Sequence, residues 1–345
     1  MKNEKTKGPF LKKYALWVAL AGLSVTLVVF GLMILHSWYD PAAAFVKEAA
    51  GESAADLPAP GAGAEAPGAA GAQPMATEKV LGESNTVNIL LLGIDSDDKR
   101  VAQNQGWRSD MVMLCTIDTG KEKMYLTSIP RDTQTYVYHV DGDGKPTERV
   151  LTKINHAYSY GGGPDKYGAI NAMRAVGDYL SDAGGIRVPV DYYVSIDLQN
   201  IPQLTDAFGG VPVELDVDFP DLGSKGEVVM LDSSNVKLFL QNRYDVGGDL
   251  MRARHHEEFL VSLLKQFKAK GGLRYSTALF NFAMQYTRTN LNFSQMVALF
   301  SLTDRCDTED LDYKVIAGEY RTIGGVCYYL SDTGDVQNRL AALEG

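Results

Sequence analysis

Two rhythms of apolar and polar positions run along this chain, and charge collects where they break. Val87 to Ile94 is a short, almost wholly apolar run ended by a glycine and Asp95, the pattern of a strand buried in a covered sheet. A polar stretch, Ser96 to Arg100 and Gln103 to Trp107, reads as a loop. Met111 to Ile117 and Lys123 to Ile129 then read as two strands joined by a hairpin-type turn at Asp118-Thr-Gly-Lys121. Pro130 ends the second of them, because it has no N–H to give to a ladder. Val140 to Pro146 reads as a loop.

Helical spacing follows. It predicts a helix from Lys166 to Asp182, stopped by Gly184-Gly185, and another from Asn200 to Phe208, stopped by Gly209-Gly210. A periodic helix spans His255 to Ala269, with Phe259, Leu263, Leu264 and Phe267 on one face. A short helix is expected over Ser276 to Ala283 and a further one over Ser294 to Leu302. Strands are expected at Tyr192 to Ile196, Val211 to Val217, Lys314 to Ile316 and Val326 to Leu330. Helices and strands interleave without a strict repeat. The fold class is therefore α/β, a mixed central sheet with helices on both faces.

The N-terminal region follows another rule. Tyr14 to Leu35 is uncharged and apolar over roughly twenty residues, enough to cross a bilayer as one transmembrane helix. Lys2, Lys5, Lys7, Lys12 and Lys13 precede it, and the positive-inside rule puts them in the cytoplasm and the rest of the chain outside. The expected organisation is a cytoplasmic tail (1–13), a membrane anchor (14–35), a flexible linker (36–80) and an extracytoplasmic domain (81–345). From Pro41 to Lys79 the chain is mostly Ala, Gly, Pro and Glu, too poor in large apolar residues to offset its ordering entropy.

Those five lysines, set against Glu4, leave +4 at the N-terminus; the net charge of −10 thus leaves −14 for the remainder. So acidic a domain lacks the basic surface that nucleic-acid binding relies on, and no nucleic acid is expected as a partner. No CxxC or Cys/His spacing points to zinc. Cys115 reads as a core thiol, and Cys306 and Cys327 as either one disulfide or two free thiols.

Asp95 ends the first strand and Asp110 begins the second. If the strands are neighbours, the two carboxylates meet at one edge and suit Mg²⁺; otherwise they cap a turn and a strand start. Arg108, Arg131, Arg243, Arg252 and Arg254 are candidate anion clamps, since guanidinium forks match phosphate oxygens. Solvated surface pairs are the alternative for each. Asp249, in the Gly-Gly loop between Arg243 and Arg252, either orients an arginine, acts as a base or caps the next helix. His156 reads as a core or pocket residue. Of His255 and His256, at the expected helix start, one is expected to face solvent.

Read together, several motifs resemble the LytR-CpsA-Psr family of bacterial cell-envelope phosphotransferases. They are Asn88-Ile-Leu-Leu-Leu-Gly-Ile-Asp95, Arg108-Ser-Asp110, Ser128-Ile-Pro-Arg-Asp132 and Lys153-Ile-Asn-His-Ala-Tyr158. Asp191-Tyr-Tyr-Val194, Phe208-Gly-Gly-Val211 and Gly248-Asp249-Leu-Met-Arg252 complete the set. The resemblance implies a membrane-anchored enzyme that takes a glycopolymer from a polyprenyl-pyrophosphate carrier, with its phosphate, to peptidoglycan. It implies a Mg²⁺ (or Mn²⁺) site at Asp95 and Asp110. It also implies pyrophosphate contacts from Arg108, Arg131, Arg243 and Arg252, with Arg254 a possible substitute, and a loop aspartate at Asp249. The chain departs from the family at Gln241 and His255, where arginines are usual. Prenyl-pyrophosphate hydrolysis and a non-catalytic polymer-binding module are the alternatives.

Overall fold

The structure is a computed structural model and describes residues 28, 29, 31–45, 80, 81, 85–96, 106–241, 249–269, 273–307 and 311–344. In chain order, β1 (Thr86–Asp95), β2 (Arg108–Asp118) and β3 (Lys123–Ser128) form an antiparallel meander, and β4 (Gln134–Val140) and β5 (Pro146–Lys153) a hairpin. Next come α1 (His156–Tyr160), α2 (Gly168–Gly184), β6 (Tyr192–Asp197), α3 (Ile201–Ala207), a small hairpin of β7 (Val211–Glu214) and β8 (Val228–Leu231), and α4 (Val236–Gln241). The chain closes with α5 (Asp249–Ala269), α6 (Leu273–Tyr286), β9 (Thr287–Thr289), α7 (Phe293–Arg305) and β10 (Asp312–Val315), then the hairpin of β11 (Gly318–Ile323) and β12 (Val326–Ser331), and α8 (Thr333–Glu344).

The main sheet has six strands in the order β10-β3-β2-β1-β6-β9 and is mixed: β1 runs antiparallel to β2 and parallel to β6. That pairing brings the C-terminal ends of β1 and β6 to the same edge as the start of β2. Strand alternation sorts the side chains of β1 onto two cores. Leu90, Leu92 and Ile94 join the core under α2, whereas Val87 and Ile89 join the core under α7. Ala169, Ala172, Met173, Val176 and Leu180 make the buried stripe of α2, and Gly185 ends that helix in the left-handed region at φ 70°. Helices cover both faces, as expected.

Two expectations change, and the open choice at the cysteines is decided. α5 begins at Asp249 rather than His255, so His255 and His256 sit in its second turn and both are buried. All three cysteines are free: Cys306 is buried in the core that holds Cys115, and Cys327 is exposed on the β11–β12 hairpin. The expected linker is not free at its start. Residues 31–39 are helical, Arg305 of α7 donates to the Trp38 and Tyr39 carbonyls at 2.7 and 3.0 Å, and buried Phe45 meets Tyr192 edge-on at 5.6 Å. α8, a helix the sequence pattern did not mark, buries Val336, Leu340 and Leu343 against the α2 core. Most of the expected membrane span, Tyr14 to Leu35, lies outside the described residues, among which no helix is long and apolar enough to cross a membrane.

Arg339 of α8 ties the far side of the sheet together from a buried position. It donates to Thr127 Oγ1 at 2.8 Å and to the Leu126 carbonyl at 2.9 Å, and pairs with Asp312. Glu257 of α5 is only 2% exposed, and its Oε1 has no hydrogen-bond partner. Burial pushes its carboxyl from 4.5 up to about 7, against the pull of Arg339. Between those two values the folded chain keeps a proton that the unfolded chain releases, so stability falls as pH rises through the window. Glu257→Gln is therefore expected to flatten that slope and to raise Tm at pH 8 by about 4 °C, roughly what 1–2 kcal/mol gives in a domain of this size. Thermal melts of both proteins from pH 4 to 8 check this; equal slopes would contradict it.

Candidate active site

The site forms where β1 ends. Asp95 stands opposite Arg108 in the ladder, and Ile94 opposite Ser109, but Gly93 pairs with Met111, so Asp110 is the extra residue of a bulge. Asp110 is thus the third residue of β2 rather than the residue that starts it. Strict alternation from Leu114 and Val112 would turn Asp110 into the core under α2. The bulge resets the phase, and the carboxylate reaches across to Arg252 of α5 instead.

Three elements converge on that carboxylate. Arg131, in the turn after β3, donates to Asp110 Oδ1 at 2.8 Å, and Arg252 Nη1 lies 3.4 Å from Oδ2. Asp110 and Arg252 are each 5% exposed at the side chain and Arg131 16%. Charges so buried persist only when paired. Asp132 Oδ2 stands 4.0 Å from Arg131 Nε and pairs in turn with Lys153, so these contacts set two carboxylates among two guanidiniums and an ammonium, a cationic balance that suits an anionic ligand.

The turn that carries Arg131 is built by its neighbours. Pro130 ends β3, and the Thr133 N–H returns to the Pro130 carbonyl at 2.9 Å. The Lys153-Ile-Asn segment docks against it: Asn155 N–H donates to the Arg131 carbonyl at 3.2 Å and Lys153 Nζ meets Asp132 at 2.8 Å. His156 follows directly, with Nδ1 2.9 Å from Thr152 Oγ1. Burial, then Arg108 and Lys153, push its pKa down to about 4, so it is neutral at physiological pH.

α5 supplies the rest. His256, one turn after Arg252, is pushed down to about 3 by burial and then by Arg252, so it too is neutral beside the arginines. His255 points elsewhere, 3.3 Å from Asp216 and between the Phe219 and Phe239 rings. The usual arginine of the resembled family would therefore have to be judged against His256, which faces the site, and not only against His255.

Arg254 is not gathered. Two residues on from Arg252 is about 200° around a helix, and Arg254 is exposed, with its charge acting on Glu257 and Glu258. Asp249 is the first residue of α5; its side chain, like all of Arg243, lies outside the described residues. Gln241 ends α4 and is exposed.

Further along α5, an apolar cavity of about 200 Å³ lies between the sheet and helices α5 and α7, walled by none of these charged residues. Leu91, Val194, Leu260, Leu264 and Phe300 are among its walls. On α5 the sequence Arg252, His256, Leu260, Leu264 steps by four along one face, from charge to hydrocarbon. Leu91 lies about 13 Å before Asp95 along β1. Such a site can hold a ligand with an anionic head and a long apolar tail. The i, i+4 stepping was the signal available in the sequence for His256 and the cavity wall; packing hid the cavity itself.

Asp95 and Asp110 offer hard oxygen ligands at neighbouring strand positions, and Asp110 keeps lone pairs beyond those its arginines use. Carboxylate oxygens are the donor type Mg²⁺ prefers, and Asp95 and Asp110 are the residues that would hold it. Among the described residues no group of three or more His, Cys, Asp or Glu gathers as a metal cluster.

Known proteins carry the same architecture. The crystal structure of TagV from B. subtilis superposes with a TM-score of 0.59 at 23% identity, covering 78% of this chain and 97% of that one. TagT bound to LIIa-WTA gives 0.57 at 21% identity, covering 75% and 89%. By sequence, the polyisoprenyl-teichoic acid–peptidoglycan teichoic acid transferase TagU of Bacillus mycoides is 27% identical over 268 residues, 76% of this chain and 80% of that protein. TagU of Halalkalibacterium halodurans is 28% identical over 262 residues, 75% and 77%. The sequence profile of the LytR_cpsA_psr family matches residues 64–344, and the chain belongs to that family.

Proposed function

We propose that this chain transfers a glycopolymer, with its phosphate, from a polyprenyl-pyrophosphate carrier to peptidoglycan, leaving a phosphodiester link. Teichoic acid, capsular polysaccharide and other secondary wall polymers are the cargo class. The observation that carries the reading is that α5 brings Arg252 to the Asp110-centred arginine pair and, two turns on, walls an apolar cavity with Leu260 and Leu264. The names of the TagU relatives support the same chemistry.

In this reading the prenyl tail lies in the cavity and the diphosphate meets Arg131, Arg252 and Arg108. A hydroxyl of the acceptor attacks the phosphorus that bears the glycan. The new bond joins that oxygen to phosphorus, the bond to the bridging oxygen breaks, and the electron pair departs with prenyl phosphate. The arginines stabilise the charge that develops on the leaving phosphate. Asp95, half-buried at the strand end, and Asp249 are the residues proposed to receive the hydroxyl proton. Asp95 and Asp110 would hold Mg²⁺ (or Mn²⁺), which when bound neutralises diphosphate charge. His156 and His256, being neutral, leave that balance unaltered across the physiological range.

Residues 14–35 are proposed as the membrane anchor, with the N-terminus cytoplasmic and the domain outside. The stem that follows docks on α7, one wall of the cavity, so the anchor would hold the cavity near the bilayer that supplies its ligand.

The full-length protein, incubated with labelled lipid-linked glycan, Mg²⁺ and peptidoglycan, is expected to release prenyl phosphate and move label to the acceptor. Release without label in the acceptor would mean hydrolysis instead. Binding with no release, equal in wild type and Asp95→Ala, would mean a binding module. Arg131→Ala should slow transfer about tenfold or more, the scale of one lost contact to developing charge; an unchanged rate would leave Arg131 a packing role only. Chelation with EDTA should stop transfer and added Mg²⁺ restore it, whereas full turnover in EDTA would rule out the proposed metal.

A further inference from the structure

A second cleft, of about 400 Å³, opens at the same sheet edge but on the other side of β1. Ile94 forms part of its wall, one residue before Asp95. Ile94 belongs to the core under α2, whereas Leu91 faces the apolar cavity under α5 and α7. The two spaces therefore lie on opposite faces of β1, the cleft beside its end next to Asp95 and the cavity further back along the strand. Asp197 at the end of β6 ties the cleft to that strand end by accepting a hydrogen bond from Ser96.

The chemistry of the two spaces differs. The cavity under α5 and α7 is hydrocarbon almost throughout. The second cleft is lined by the aromatic side chains of Trp107 and Tyr286 together with Asp197, Asn200, Gln285 and Arg288. Aromatic faces with a few convergent amide and charged groups suit a ligand that is apolar on its ring faces and polar around its rim. A pyranose ring has that character: C–H groups on its faces, hydroxyl and acetamido groups at its edge. Trp107 is held by close packing, since a Cβ on Gly163 would stand within 2.7 Å of its Nε1. Asn200 precedes α3 without its side chain capping that helix, which leaves the amide available to a ligand.

We infer that this cleft binds a saccharide of the acceptor glycan. The inference rests on the transfer reaction proposed above and deepens it. In-line displacement at phosphorus places the attacking oxygen opposite the leaving group. With prenyl phosphate departing toward the cavity under α5 and α7, the attacking hydroxyl approaches from the opposite side of the strand end, where the cleft lies. Trp107 and Tyr286 would hold a ring of the strand, and Asn200 and Gln285 would fix its rim groups, with one hydroxyl delivered past Ile94 toward Asp95.

The test uses the full-length protein in detergent and soluble, uncrosslinked peptidoglycan glycan strands as the probe. The double variant Asn200→Ala/Gln285→Ala alters an unused cap position and an exposed residue of the last turn of α6, so it spares the core. Its Kd for the strands by calorimetry, and its KM for them as acceptor, should each rise about tenfold, the sum of two lost hydrogen bonds. Affinity for the lipid-linked donor should stay at the wild-type value. Trp107→Ala should weaken strand binding in the same way. An unchanged Kd for the strands in both variants would overturn the inference. So would a loss of donor affinity with acceptor binding intact, which would make the cleft a donor-glycan site. If wild type binds strands in the cleft but moves no label to them, the cleft stands and the transfer reading falls.

Discussion

A single buried carboxylate organises the charged end of this molecule. Asp110 is held by Arg131 at 2.8 Å and lies 3.4 Å from Arg252, and the three come from β2, the turn after β3 and α5. Removing one member of such a buried set strands the others, typically at about 3–5 kcal/mol. The geometry is therefore over-determined by folding itself. The bulge that turns Asp110 toward α5, the proline ahead of Arg131 and the docking of Lys153 to Asn155 beneath it all serve that one junction. The guanidiniums so gathered stand on one side of α5's first turns, and the later turns of the same helix wall an apolar cavity.

The two faces of β1 give that junction its direction. Leu91 looks into hydrocarbon space under α5 and α7, Ile94 into a mixed aromatic and polar cleft, and Asp95 closes the strand between them. A sheet buried on both faces is ordinarily a purely structural device. Here each face of β1 borders a space of different chemistry, and the charged residues stand at the end of the strand. The docked stem at residues 31–45 adds a third constraint, because it fixes the N-terminal side of the domain to α7.

Much of this could be read from the residues. The apolar run ending at Asp95 gave a central strand, and Ile129-Pro130 placed Arg131 just beyond another. Both hold because burial on two faces and a missing N–H are local facts. The bulge was invisible: the apolar pattern starts the strand at Met111, and nothing marks Asp110 as a residue left out of a ladder that continues back to Arg108. The start of α5 was set six residues late because Asp249 to Arg254 has no apolar stripe of its own; tertiary contacts of Arg252 bury that turn. From this followed the misjudged exposure of His255 and His256. Arg254 looked like a clamp by sequence proximity, yet helical geometry turns it away. The cavity could not be read, since residues lining a space and residues filling one look alike in sequence.

The central claim is that the arginines at Asp110 and the adjoining apolar cavity act as one site for a diphosphate on a prenyl chain. The most direct test is the affinity of the full-length protein for a short-chain prenyl pyrophosphate compared with the corresponding prenyl alcohol. Wild type should bind the pyrophosphate at least about tenfold more tightly, from charge-assisted contacts of roughly 1.5–3 kcal/mol each, and Arg252→Ala should lose most of that margin. Equal affinity for the two ligands, in wild type and variant alike, would contradict the account.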